Sequence, residues 1–121
     1  MGRQIRVEIK PGVLILPCHF YQYHTGLILK AVEAQWPEES DLIVITRGAE
    51  QVPTGATHSK HLIGKAFDFR TKHLPPEVDR EALVKSILNE SLLGMDYYGY
   101  FRRVPDGRGG FVEWIHINYC R

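Results

Sequence analysis

The sequence predicts an α+β domain, a mainly antiparallel β-sheet with two packed helices, and three observations carry that expectation. Several short segments alternate apolar and polar residues with the period of two of a half-buried strand. Two longer segments place apolar residues at helical spacing. The C-terminal part reads as two strands about a turn rich in Pro and Gly. At 121 residues, with 44% apolar and 24% charged side chains, the chain fits one domain over residues 1–121 with a core of its own.

Taken in order, residues 4–10 set Ile5, Val7 and Ile9 against charged neighbours, as a strand with one wet face does. Pro11 and Gly12 end it, and residues 13–16 form a short second strand. The aromatic residues 18–24 have no period and read as a partly buried loop. A helix is expected from Thr25 as N-cap to Gln35, with Ile28, Ala31 and Val32 on its apolar side and Pro37 as its stop. Residues 42–46 are apolar on both faces, which suits a central strand. Residues 49–59, rich in Gly, Thr and Pro, suit an active-site loop. Residues 66–70 alternate, with Phe67 and Phe69 on one face and Ala66, Asp68 and Arg70 on the other. A second helix between Pro76 and Gly94 carries Leu83, Val84, Ile87, Leu88 and Leu92. Residues 97–104 and 110–119 make the hairpin; its tyrosines read as aromatic packing and Trp114 as a core residue.

Lys plus Arg (15) nearly balance Asp plus Glu (14), so no broad field favours nucleic acid. The longest apolar run is far below the roughly 20 residues that cross a bilayer, and no membrane insertion is expected. The N-terminus lacks the basic start and apolar block of a secretory signal, so the expected state is a monomer made in the cytoplasm. Cys18 and Cys120 read as two buried thiols.

Chemistry concentrates in two segments. His61, Asp68 and His116 are two imidazoles and a carboxylate, a set that holds zinc with a fourth position left for water. Such a site needs a carboxylate to take the proton of that water and hand it to a leaving nitrogen, and Glu113 is the candidate; its alternative is a solvated strand residue. A regular strand over residues 111–119 would place Glu113 and His116 on opposite faces. The shared site therefore requires Glu113 at the strand's start or a bulge between the two.

Ser59, His61, Gly64, Ala66 and Asp68 match the pattern SxHxxGxAxD, and Glu113, Trp114, Ile115 and His116 match a downstream ExxH with Trp after the Glu. On these residues the chain resembles the zinc D-Ala-D-Ala carboxypeptidase family, whose relatives include D-Ala-D-Ala dipeptidases, phage L-alanyl-D-glutamate endopeptidases and, more distantly, the hedgehog signalling domain. The resemblance covers chiefly residues 45–68 and 111–117. It implies the hedgehog/D-Ala-D-Ala peptidase fold, one zinc ion on His61, Asp68 and His116, and Glu113 as catalytic base. It also implies that Arg47 grips a substrate carboxylate or carbonyl oxygen, while Ser59 orients the loop or a ligand by hydrogen bonding. The implied activity is hydrolysis of peptide bonds in bacterial peptidoglycan. Small size suggests a bacteriophage endolysin-like endopeptidase acting at the cell wall, or else a D-Ala-D-Ala carboxypeptidase. A hedgehog-like zinc module that binds a partner without cleaving it is the alternative of a different class.

Overall fold

The computed structural model describes residues 3–15, 23–48 and 65–120, without the side chains of residues 23–25. Within them the chain runs β1 (Arg6–Ile9), α1 (Tyr23–Gln35), β2 (Leu42–Arg47), β3 (Ala66–Arg70), α2 (Arg80–Leu88), β4 (Tyr97–Pro105) and β5 (Phe111–Tyr119). The strands form one sheet in the order β1-β2-β3-β5-β4. β1 and β2 are parallel, and the other three pairings are antiparallel. The α+β class stands, but the sheet is mixed rather than mainly antiparallel. The cause is α1: parallel neighbours need a crossover of a dozen or more residues, and α1 lies in the connection that supplies it.

Both helices pack on one face of the sheet. Ile45 pairs with Phe69, Phe69 with Ile115 and Phe67 with Ile117, so their side chains share that face. They join Ile28, Ala31 and Val32 of α1 and Leu83, Val84 and Ile87 of α2 in one core cluster. Each large aliphatic or aromatic side chain buried there contributes about 1.5–3 kcal/mol relative to exposure. The alternate residues of β3 and β5, including Asp68 and His116, belong to the second face.

Several element ends differ from expectation. α1 starts at Tyr23, so Thr25 lies in its first turn rather than at its N-cap. Residues 13–15 form no strand, and Leu16, Cys18 and the loop at residues 49–59 lie outside the described residues. α2 is shorter than the apolar pattern suggested. Its N-cap is Asp79, whose carboxylate accepts from the Ala82 amide at 3.0 Å, and Asn89 closes it, leaving Pro76 and Leu92 in flanking turns. Leu93, not Leu92, turns back into the core. Cys120 is exposed, not buried, with its Sγ 3.8 Å from Asn118 Nδ2. No helix among the described residues is long and apolar enough to cross a membrane.

The β4–β5 hairpin closes through Asp106, whose Oδ1 accepts from the amides of Arg108 at 2.7 Å and Gly110 at 3.1 Å. Those bonds hold the Asp106 carboxyl below the usual range. A carboxyl with a lowered folded pKa stabilises the turn above its unfolded value, and that contribution is lost as pH falls through the folded one. Side-chain carboxyl NMR should show Asp106 titrating below the ordinary aspartate range; a midpoint within that range would contradict the turn geometry. Gly99 permits close approach, because a Cβ there would lie 2.5 Å from Ile117 Cδ1 and 2.8 Å from the His116 carbonyl oxygen. The carbonyl is part of the ladder, so Gly99→Ala should cost about 1–3 kcal/mol in urea unfolding.

Candidate functional site

β3 lies between β2 and β5, which gives Asp68 two cross-strand neighbours on its own face, Arg47 and His116. His116 is in turn opposite Tyr100 of β4. The register thus lines up Arg47, Asp68, His116 and Tyr100 across four strands. Arg47 belongs to this row because β2 is irregular. Ile45 faces Phe69 in the core, and the register shifts before Arg47, so two residues of equal parity end on opposite faces. Thr46, the residue between them, donates its hydroxyl to the Asp68 carbonyl at 3.4 Å.

Asp68 and His116 are buried, and His116 Nδ1 lies 2.8 Å from Asp68 Oδ1. The other ring nitrogen, Nε2, lies 2.8 Å from Asn118 Oδ1. In this orientation the Asn118 amide oxygen accepts from Nε2–H. Nδ1 then faces a carboxylate oxygen that likewise only accepts, an arrangement that needs a proton or a cation between the two. This is the tautomer a metal-ligating histidine uses, with its second nitrogen held by a polar partner. Asp68 and His116 therefore fit two positions of a zinc donor set. The third expected ligand, His61, lies outside the described residues, as does Ser59. Among the described residues no three His, Cys, Asp or Glu side chains converge as a metal site.

Tyr100 stacks on the imidazole, with ring centroids 4.8 Å apart and planes 18° from parallel. Burial first, and then the charge of Asp68, raise its phenol above the usual range, so it stays protonated at neutral pH. Trp114 is half-buried on this same face, so it is not the core residue expected. Arg47 Nε is buried with no hydrogen-bond partner among the described residues, and Arg47 lines a cleft of about 730 Å³ together with Asp68.

Glu113 requires a correction. Arg102, Arg103 and Val104 pair in turn with Trp114, Glu113 and Val112, and the ladder runs unbroken to His116. The expected bulge in β5 is not there; the sheet's irregularity lies in β2 instead. Glu113 consequently faces away from His116, on the helix side, and is not placed to move protons at a group held by Asp68 and His116. Its carboxylate, 1% exposed, meets Arg80 at 3.5 Å and Arg103 at 3.7 Å. Arg80 in turn donates to the carbonyls of Thr71, Leu74, Pro75 and Val78, pinning the loop that leads into α2. Glu113 is thus the counter-charge of a buried structural arginine. It is not the solvated strand residue that sequence alone allowed as its alternative.

Sequence reasoning missed Asn118 and the stacking role of Tyr100. The signal for Asn118 was its position two residues beyond His116, hence on the same strand face; the role of Tyr100 depends on strand pairing. No protein-family model matches this chain, and no match to it is found among curated proteins or solved structures.

Removing the charge of Glu113 leaves Arg80 buried and uncompensated. Glu113→Gln should lower stability by about 3–5 kcal/mol in chemical denaturation. A Glu113→Gln protein as stable as the wild type would show that Glu113 does not compensate Arg80.

Proposed function

We propose that this chain is a zinc-dependent peptidase acting on the peptide part of bacterial peptidoglycan. The observation that carries the proposal is the Asp68–His116 pair, with Asn118 holding the imidazole in the tautomer a metal needs. The sequence supplies a third donor, His61, seven residues before Asp68 in the matched pattern. Zinc bound there would supply Lewis acidity, activating water at neutral pH and polarising a peptide carbonyl.

The chain's own residues do the rest of the work. Asp68 and His116 bind, and Asn118 orients His116. Tyr100 covers one face of the imidazole, and its protonated phenol adds no charge there. Arg47, beside Asp68 and with its guanidinium Nε unbonded among the described residues, is the group for a substrate carboxylate or carbonyl oxygen. Glu113 takes no part. An endolysin-like endopeptidase or a D-Ala-D-Ala carboxypeptidase fits this arrangement.

A second reading has one observation in its favour. With Glu113 turned to the helix side, the arrangement also suits a hedgehog-like module that holds zinc and binds a partner without cleaving it. Digestion of defined muropeptides by the zinc-loaded protein, followed by mass spectrometry, separates the two. Fragments with new termini support the peptidase, and their masses identify the bond cut; intact muropeptides that stay bound support the module.

Zinc binding is checked independently of turnover. Asn118→Ala should weaken zinc affinity by about 10–100-fold in a competition titration, because the imidazole loses the acceptor that fixes Nε2–H. An unchanged affinity would remove Asn118, and with it the tautomer argument, from the proposal.

A further inference from the structure

The cleft of about 730 Å³ beside Asp68 is richer in cations than the proposed chemistry requires. Lys10, Arg47, Arg70 and Lys72 line it, together with Glu8, Asp68 and Glu113, the last with its carboxylate turned to the helix side. Those carboxylates are already engaged: Glu8 with Arg6 at 3.1 Å, Glu113 with Arg80 on the helix side, and Asp68 with His116. Lys72 is engaged as well, donating to the Phe111 carbonyl at 2.9 Å. Arg70 differs from it. It is exposed and makes no ion pair or hydrogen bond among the described residues.

Its position follows from the sheet. Arg70 is two residues beyond Asp68 on β3, on the same face and about 7 Å along the strand. Its cross-strand neighbour is Trp114, also in the cleft lining. A guanidinium with its donors uncommitted, next to an indole wall and with Arg47 on the far side of Asp68, is built to take a planar carboxylate by paired hydrogen bonds.

We propose that Arg70 is a specificity-determining residue that binds the carboxylate of an acidic peptide lying in this cleft. The peptide's acidic residue then sits one strand step from the Asp68–His116 pair. The assignment deepens the peptidase reading and rests on it for what happens at that pair; binding itself does not depend on turnover.

The test uses the full chain without added zinc and two end-capped tripeptides, Ala-Glu-Ala and Ala-Gln-Ala, titrated by calorimetry. The wild-type protein should bind the acidic peptide about tenfold more tightly than the amide, with the preference shrinking as salt rises. Arg70→Ala should bring the two within about twofold, and Arg70→Lys should retain part of the preference. Arg102→Ala is the control, since Arg102 flanks Trp114 from β4 and does not line the cleft; it should leave the preference intact. Arg70 is exposed, so each variant should melt with the wild type. Equal binding of both peptides, binding of neither, or a preference that survives Arg70→Ala would overturn the assignment. Selective binding through Arg70 without muropeptide cleavage would sink only the peptidase reading.

Discussion

The unbroken ladder of β5 is the constraint on which the rest of this molecule depends. Held between β3 and β4 by antiparallel pairing, β5 alternates strictly from Phe111 to Tyr119. Glu113, Ile115 and Ile117 go to the helix side; Trp114, His116 and Asn118 go to the other. That one alternation closes the core against both helices. It also sets His116 opposite Asp68 and separates Glu113 from both. Gly99 of β4 contributes by letting the hairpin approach the Ile117 side chain and the His116 carbonyl at a distance no Cβ would permit.

The two faces use charge differently. On the helix side, Glu113 and Arg80 are buried together, and the arginine holds four carbonyls of the loop before α2. A buried ion pair of this kind adds little net stability over an apolar pair, but it is costly to break from one side. On the second face, Asp68 and His116 are buried side by side, with Asn118 on the far nitrogen of the imidazole. Stability and site chemistry are thereby placed back to back on the same strand, and a substitution at Glu113 acts on the first without reaching the second.

The β2 irregularity has a comparable consequence. Arg47 has the parity of Ile45 and would enter the core in a regular strand. The register shift turns it to the face of Asp68, where a guanidinium beside a carboxylate can meet a ligand. Distortions of this type re-aim a side chain at little cost to the remaining ladder. Here the distortion serves the arginine, not the glutamate that sequence spacing had singled out.

Much was legible in the sequence. Residues 66–70 announced their strand and both faces of it by alternation, residues 42–46 announced a buried strand, and the Pro-Asp-Gly segment announced the hairpin. Asp68 and His116 were legible as partners from residue type and pattern. These properties are local, fixed by the period of a strand and by turn chemistry. Strand order, the parallel β1–β2 pair, the shift before Arg47 and the partners of Glu113 are long-range. They depend on which strands pair and in what register, and no residue carries that information alone. The sequence by itself determined which side chains could meet; the tertiary structure decided that His116 meets Asp68 and Glu113 meets Arg80, because register assigns each residue of a strand to one face only.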